Sequence, residues 1–344
     1  MIKKLLLAVG VILILLVAAA ALYINTSVPP LPPGTNEIID QVLASELPEL
    51  VTGRSGFAQS GESAIWYEML EPEGPPRGAI LLIMGISGDG LGWPPAFLEA
   101  LVDAGYQVIR YDQRGTGMSD WVADWDGENP YTLHDMAADG VAILDALDIA
   151  QAHLVGISMG GMTAQQMAVD HPDRVLTLAS IMSSCDIVDP QLPPISTAVV
   201  GDLLRASLKY GLLGDERNTI KQFVASRQAL MGDTPYDLDT KFIAEQVLYN
   251  LRQRRGFNSQ ASAQHNAAVL AAEPRYEQLR ELDIPILVLH GRSDPFIPIE
   301  HGQKCAAIIP GAQAVWVDGM GHDIPAAFND IVVESILANL ERAP

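Results

Sequence analysis

One short segment of the chain combines a serine with two closely spaced glycines. It reads Gly156-Ile-Ser-Met-Gly160, follows an apolar run at residues 152–156 and precedes a helical pattern at 159–170. In a G-x-S-x-G turn the serine takes a strained backbone conformation at the tip, and the glycines let strand and helix approach without Cβ clashes. We therefore predict that Ser158 presents its hydroxyl as a nucleophile.

A serine hydroxyl is a weak nucleophile, so this chemistry also needs a histidine base and a carboxylate that orients it. The apolar run 285–289 leads into Asp294, and the run 313–317 leads into His322. One large class of serine hydrolases uses this chain order of serine, acid and histidine, each placed after a strand. We predict His322 as the base and Asp294 as the acid.

Other residues could fill these two roles. Asp318 and Asp323 flank His322 and are the alternative candidates for the acid. The other six histidines lie in strands, in helical patterns, in the predicted cap or at the ends of such elements, where a structural role is sufficient to explain them. His290 is one of these, because it ends an apolar strand and is expected to pack near the site.

The tetrahedral intermediate of acyl transfer carries an oxyanion, which needs two fixed N–H donors. We predict the backbone N–H of Met159, the residue after the serine, as the first donor. The second is the backbone N–H of Ile86, in the segment Met84-Gly-Ile-Ser-Gly-Asp-Gly-Leu-Gly-Trp93. This glycine-rich segment lacks the Lys-Ser/Thr ending of a phosphate-binding loop and carries Asp89, so an oxyanion loop fits it better.

These residues must be positioned by strands and helices that alternate along the chain. Short apolar runs typical of strands occur at 63–70, 79–83, 107–111, 152–156, 176–181, 285–289 and 313–317. Helical patterns occur at 95–104, 132–148, 159–170, 299–309 and 325–341. Such alternation predicts an α/β fold, with a mostly parallel sheet covered by helices on both faces.

The alternation stops between residues 185 and 275, where helical patterns follow one another without strands. Residues 205–280 hold 11 Lys and Arg against 8 Asp and Glu, a net charge of +3, whereas the rest of the chain holds 10 against 34, a net charge of −24. We predict a helical cap that faces the substrate, with Phe257, Asn258 and His265 as candidate lining. The alternative is a set of packing helices without a role at the site.

The N-terminus carries a different pattern. After Lys3 and Lys4 comes an uncharged apolar run from residue 5 to residue 24. At 1.5 Å per residue this run spans about 30 Å, the thickness of a bilayer's hydrocarbon core. We predict an uncleaved single-pass transmembrane helix with a cytoplasmic N-terminus and an extracytoplasmic catalytic domain. The alternative is a signal peptide cleaved near Ala21, which would leave a secreted protein.

These patterns divide the chain into five parts. They are a signal anchor at 1–27, a proline-rich linker at 28–55, a first part of the α/β core at 56–184, a helical cap at 185–275 and a second part of the core at 276–344. The linker begins with four prolines among residues 28–34, which favours an extended spacer, and continues with a helical pattern at 36–50.

Composition excludes several classes of protein. The 344 residues carry a net charge of −21, which repels phosphate backbones, so we predict no nucleic-acid partner. There is no strand-linked G-x-G-x-x-G followed by a ribose-binding acid, which argues against a dinucleotide-dependent dehydrogenase. We therefore predict no cofactor and no bound metal.

The chain has two cysteines, Cys185 and Cys305, and no CxxC motif. Two cysteines are too few for a disulfide scaffold. We interpret them as buried free thiols, with pairing in an oxidising compartment as the alternative.

Together, these motifs resemble those of the α/β-hydrolase superfamily over about residues 56–342. The matching pieces are Met84-Gly85 with the following Leu-Gly-Trp93, Arg110-Tyr-Asp-Gln-Arg-Gly-Thr-Gly-Met-Ser119, Gly156-Ile-Ser-Met-Gly160, Asp294-Pro and Gly319-Met-Gly-His322. Within the superfamily the chain is similar to the serine-nucleophile branch of aclacinomycin methylesterase-like esterases. Met84 stands where a His-Gly pair is usual in the superfamily, and this branch shares that departure.

The resemblance implies Ser158 as nucleophile, His322 as base and Asp294 as acid, with a helical cap inserted after the sixth strand. It is specific for the superfamily and says little about the substrate. The loop that contains Asp112 and Arg114 is expected to be a structural salt-bridged turn beside the site.

We therefore predict a membrane-anchored serine hydrolase that cleaves a small-molecule carboxylic ester through an acyl-enzyme intermediate. Dehalogenases and most epoxide hydrolases place Asp at the elbow, so Ser158 argues against both. Carbon–carbon bond hydrolases, amidases and haloperoxidase-like proteins keep the same triad and stay as alternatives. A non-catalytic binding module on the same fold is a further alternative.

The N-terminal pattern generates a first testable prediction. The full-length protein should fractionate with membranes and resist extraction by carbonate, because residues 5–24 match the bilayer in length and polarity. Deletion of residues 1–27 should release a soluble enzyme with unchanged kcat toward a small soluble ester. A mature protein that begins near Ala21 or Leu22 by mass spectrometry, found free in the soluble extracytoplasmic fraction, would contradict the anchor.

Overall fold

The protein is built on one eight-stranded sheet. The computed structural model describes residues 28–125, 127, 130–211, 214–232 and 234–343. The strands are β1 Arg54–Ser60, β2 Ser63–Leu70, β3 Ala79–Ile83, β4 Gln107–Tyr111, β5 Ala152–Ile157, β6 Val175–Ile181, β7 Ile286–Gly291 and β8 Gln313–Val317. Their order across the sheet is β1-β2-β4-β3-β5-β6-β7-β8. β2 is antiparallel to both of its neighbours, and all other pairs are parallel.

Helices cover both faces of this sheet. They are α1 Thr35–Ala44, α2 Pro95–Asp103, α3 Leu133–Ala146, α4 Met159–Asp170, α5 Thr197–Ala206, α6 Glu216–Met231, α7 Thr240–Gln253, α8 Ala261–Leu270, α9 Tyr276–Arg280, α10 Ile299–Ile308 and α11 Asn329–Leu340. Successive residues of the central strands enter opposite cores, so Leu81 packs on one face and Leu82 on the other. The α/β fold predicted from the alternating pattern is confirmed.

Helices α5 to α9 lie between β6 and β7, and the described part of residues 182–285 contains no strand. Helix α1 packs against this group, because Ile39 and Val42 share a buried apolar cluster with Val224 of α6 and Val247 of α7. Part of the predicted linker is therefore a packed helix. β1 was not among the strands predicted from the sequence, and it begins at Arg54, two residues before the predicted start of the core.

The described residues include no helix long and apolar enough to cross a membrane. The predicted signal anchor at residues 1–27 lies outside the described residues.

Cys185 and Cys305 form a disulfide, with their Cα atoms 5.7 Å apart. The interpretation of these cysteines as free thiols is therefore wrong. Their sequence separation is 120 residues, and only the folded chain brings the segment after β6 next to α10.

Loss of this disulfide should destabilise the protein. Replacement of both cysteines (Cys185→Ser with Cys305→Ser) should lower the free energy of unfolding by about 2–4 kcal/mol, because the bond restricts a long loop of the unfolded chain. Denaturant unfolding of the double variant and the wild type measures the difference, and wild type unfolded in reductant is the control. Equal stability of the three samples, with two titratable thiols in the untreated protein, would contradict the assignment.

Candidate active site

Ser158 lies at the turn between β5 and α4, with φ 54° and ψ −125°. The turn depends on its glycines, because a Cβ on Gly156 would lie 2.1 Å from the Gly160 carbonyl oxygen. A Cβ on Gly160 would lie 2.0 Å from the Ile83 carbonyl oxygen. The backbone N–H of Ser158 donates to the Ile181 carbonyl at 2.9 Å. These contacts hold the serine in a conformation that a non-glycine residue rarely adopts.

The three residues predicted as a triad lie in one hydrogen-bonded chain. His322 Nε2 is 3.0 Å from Ser158 Oγ, and His322 Nδ1 is 2.8 Å from Asp294 Oδ2. An ionised carboxylate only accepts hydrogen bonds. His322 therefore donates from Nδ1, which leaves Nε2 free to accept the hydroxyl proton of Ser158.

Topology explains this convergence. Ser158 follows β5, Asp294 lies in the loop after β7, and His322 lies in the loop after β8. Because these strands run parallel, their carboxyl ends lie at one edge of the sheet. Ser158 and His322 are each 8% exposed, so both residues are almost fully buried.

Both oxygens of Asp294 are held in place. Oδ1 accepts hydrogen bonds from the backbone N–H groups of Phe296 at 2.8 Å and Ile297 at 2.9 Å. Burial raises the pKa of Asp294, but the attraction of His322 and the hydrogen bonds from His290 and His322 outweigh it and hold the pKa below its usual range. Asp294 therefore presents an ionised carboxylate to His322.

His290 is a partner of the acid that the sequence analysis placed only near the site. Its Nε2 is 3.2 Å from Asp294 Oδ2 and 3.0 Å from the Ile297 carbonyl, and the side chain is fully buried. A carbonyl accepts, so Nε2 carries the proton that these two oxygens share. The signal that could have identified His290 is its spacing of four residues before Asp294 at the end of a buried strand.

The alternative acids have other partners. Asp318 is exposed and pairs with Arg292 at 2.9 Å, and Asp323 pairs with Arg227 of α6. Within the described residues, no three His, Cys, Asp or Glu side chains converge as metal ligands would. Asp294 is the carboxylate that hydrogen-bonds to His322.

The two predicted oxyanion donors belong to the start of α4 and to the loop after β3. Met159 is the first residue of α4, where backbone N–H groups have no partner within the helix. The Ile86 segment passes close by, because a Cβ on Gly85 would lie 3.3 Å from Ser158 Cβ. Gln113 Nε2 fixes this segment by donating to the carbonyls of Met84 at 2.7 Å and Gly85 at 3.0 Å.

The three residues expected to line the cap's substrate-facing side have other contacts. Phe257 packs on Phe223, with ring centroids 4.4 Å apart, and Asn258 Nδ2 donates to the Gly115 carbonyl at 3.0 Å. His265 is fully buried between two backbone groups of the core. These side chains pack the cap internally or attach it to the core.

The loop that contains Asp112 and Arg114 forms two salt bridges, as expected of a salt-bridged turn, and each residue pairs with a partner outside the loop. Arg114 pairs with Asp139 at 2.6 Å, while Asp112 pairs with the cap residue Arg254. Burial raises the pKa of Asp112 to about 6 despite the attraction of Arg254. Arg254 also lies 4.5 Å over the ring of Trp66. The loop is a docking point for the cap.

Comparison with known proteins identifies the family. The model of the alpha/beta hydrolase fold family matches residues 78–325. The chain belongs to this family. A rhodomycin D methylesterase of Streptomyces peucetius is 30% identical over 297 residues, which cover 82% of this chain and 96% of the methylesterase. This α/β-hydrolase chain is therefore an enzyme of the hydrolase class.

More distant relatives show how widely the fold is shared. A 2-hydroxy-6-oxononadienedioate/2-hydroxy-6-oxononatrienedioate hydrolase of Burkholderia vietnamiensis is 27% identical, over 74% of this hydrolase and 86% of that one. The crystal structure of a membrane phospholipase A superposes with a TM-score of 0.63 at 21% identity, covering 99% of this chain and 100% of the other. These likenesses support the fold and leave the substrate open.

The hydrogen-bonded chain predicts a specific pattern of variants. Ser158→Ala should abolish hydrolysis without changing Tm, because it removes one hydroxyl. His322→Ala should be nearly as severe, and the double variant should be little worse than either, since the residues act as a unit. Steady-state kinetics and thermal unfolding on the same preparations measure both effects. Retention of a tenth of the wild-type kcat by Ser158→Ala would contradict the assignment.

Proposed function

We propose that this hydrolase cleaves carboxylic esters through an acyl-enzyme intermediate, with Ser158, His322 and Asp294 as its catalytic triad. The observation that carries the proposal is the continuous chain of hydrogen bonds from Ser158 Oγ through both nitrogens of His322 to Asp294. The chain begins at a strained strand-to-helix turn, the usual position of the nucleophile in this fold.

In the acylation step Ser158 Oγ attacks the ester carbonyl carbon, and its proton passes to His322 Nε2. Asp294 stabilises the imidazolium that forms, because its carboxylate accepts the Nδ1–H bond and is itself ionised. The carbonyl oxygen becomes an oxyanion, for which the N–H groups of Met159 and Ile86 are the proposed donors. The intermediate collapses, and the leaving alkoxide takes the proton from His322.

Deacylation repeats these steps with water. His322 Nε2 takes a proton from the attacking water, the same oxyanion donors stabilise the second tetrahedral intermediate, and Ser158 leaves with the proton returned. The products are a carboxylic acid and the free enzyme. No group beyond the residues named above is required.

The surroundings of the triad favour an uncharged, apolar acyl group. A hydrophobic cluster extends from Met159 beside the nucleophile to Phe296, whose ring contacts that of His322 edge-on at 5.1 Å between centroids. Ile86, Ile187 and Ile195 belong to the same cluster. An anionic acyl group would lose hydration on these walls and would meet a chain with a net charge of −21.

The proposal also includes a membrane anchor at residues 1–27, with the catalytic domain on the extracytoplasmic side. The disulfide between Cys185 and Cys305 supports this location, because disulfides persist in oxidising compartments. The likeness to a membrane phospholipase A over 99% of this chain is consistent with it. A secreted form after cleavage is the alternative, and the fractionation experiment described above distinguishes the two.

A panel of p-nitrophenyl esters tests the proposed function on the full-length protein. We expect kcat/KM to rise from acetate to hexanoate and to fall at least tenfold for an acyl chain of equal length that ends in a carboxylate, an effect of roughly 1.4 kcal/mol or more. A fluorophosphonate probe should label Ser158 in the wild type.

The Ser158→Ala variant is the matched control for both measurements, since it should neither turn over an ester nor take up the probe. Labelling of Ser158 without hydrolysis of any ester in the panel would show that the triad serves another reaction. Ester hydrolysis that persists in Ser158→Ala would overturn the mechanism.

A further inference from the structure

One buried histidine of the cap has no part in the triad. His265 lies on α8, which belongs to the helices between β6 and β7, and its side chain is fully buried. Its Nδ1 is 2.9 Å from the backbone nitrogen of Ser87, and its Nε2 is 2.9 Å from the carbonyl oxygen of Arg114. The imidazole therefore connects the cap to two separate loops of the core.

These two contacts fix the state of the ring. A backbone N–H only donates and a carbonyl only accepts, so Nδ1 is the unprotonated acceptor and Nε2 carries the hydrogen. Burial lowers the pKa of His265 to about 4; the hydrogen bond to the Arg114 carbonyl opposes this shift, and the nearby charge of Arg114 adds to it. At neutral pH the ring is uncharged, as the contact with Ser87 requires.

Ser87 follows Ile86, the proposed second oxyanion donor. Ser87 has φ 54°, a left-handed conformation in a residue other than glycine, inside a tight turn closed by the Gly88 N–H bond to the Gly85 carbonyl at 3.1 Å. The Ser87 nitrogen is bonded to the carbonyl carbon of Ile86. A fixed Ser87 nitrogen therefore holds the Ile86–Ser87 peptide and the Ile86 Cα, and this Cα is one end of the Gly85–Ile86 peptide that carries the Ile86 N–H.

The segment is held from two sides. On the core side, Gln113 binds the carbonyls of Met84 and Gly85. On the cap side, His265 binds the N–H of Ser87. Ile86 lies between these attachment points, so the direction of its N–H depends on both.

We propose that His265 is a positioning residue that sets the oxyanion donor of Ile86 through its hydrogen bond with Ser87. This inference rests on the proposed ester hydrolysis, and it adds that docking of the cap is part of the oxyanion geometry. Since displacement of a donor by about 1 Å weakens stabilisation of the transition state, the loss should appear in kcat more than in KM.

Two variants at this position separate the two hydrogen bonds of the ring. In His265→Asn the amide oxygen takes the place of Nδ1, so the bond from Ser87 is kept and the bond to Arg114 is lost. In His265→Gln the amide nitrogen takes the place of Nε2, so the bond to Arg114 is kept and the acceptor for Ser87 is lost. The two variants are matched in polarity and each removes one contact.

The experiment uses the full-length protein and p-nitrophenyl butyrate. We expect His265→Gln to lower kcat by about 10- to 100-fold with little change in KM, and His265→Asn to stay within about threefold of the wild type. Arg255→Met is the control, because it removes another cap-to-core hydrogen bond of similar length, from Arg255 Nη1 to the Ser119 carbonyl at 3.0 Å. It should leave kcat unchanged.

The inference is overturned if the Asn and Gln variants of His265 lose kcat equally, if both keep it, or if the kcat of Arg255→Met falls as far as that of His265→Gln. If His265→Gln does not fold, His265→Asn decides: a folded Asn variant with wild-type Tm and a tenfold loss of kcat overturns the inference, and an active one supports it. If the wild-type protein hydrolyses the ester no faster than Ser158→Ala, the proposed function is overturned as well. The Ser158→Ala control therefore separates failure of the proposed function from failure of this inference.

Discussion

The backbone of Ser158 has φ 54°, a conformation that costs about 1–3 kcal/mol and that its surroundings must maintain. The Ile181 carbonyl on the neighbouring strand accepts the Ser158 N–H, and the hydroxyl of Ser183 donates to the Ser158 carbonyl at 2.7 Å. The same turn presses Gly160 against the carbonyl at the end of β3. β3 must therefore end beside the serine, and the loop that follows it passes Ser158. One strained residue thus determines where both proposed oxyanion donors lie.

The strands and the proposed triad could be predicted from the sequence because their signals are local. Ser158, Asp294 and His322 each come within a few residues of the end of an apolar strand, and parallel pairing brings those ends to one edge. β1 was missed because most of its residues are exposed, so it lacks the apolar pattern of the central strands. Its place beside β2 comes from pairing along the whole strand, which no local pattern reports.

The contacts that sequence analysis missed join residues far apart in the chain. Arg254 and Asp112 are 142 residues apart, His265 and Ser87 are 178 apart, and the disulfide spans 120. The first two depend on where the cap rests on the core, and the disulfide depends on how the segment after β6 packs against α10. Amphipathic patterns leave both undetermined. Arg114 illustrates the point: the sequence predicted a salt-bridged turn at Asp112 and Arg114 but not the partners, which are Asp139 of α3 for Arg114 and the cap residue Arg254 for Asp112.

The contrast in charge between the cap and the rest of the chain is explained by docking. Arg217, Arg227 and Arg254 pair with Asp40, Asp323 and Asp112, all outside the cap helices. The exposed pair of Arg217 contributes at most about 1 kcal/mol, whereas loss of one partner of the buried Arg254 pair would leave an uncompensated charge and cost about 3–5 kcal/mol. The main effect of the buried pair is therefore to fix the position of the cap on the core. Its contribution to the strength of cap attachment is smaller. In that position of the cap, His265 binds Ser87. The Arg254–Asp112 pair therefore fixes both the position of the cap and the direction of the proposed oxyanion donor.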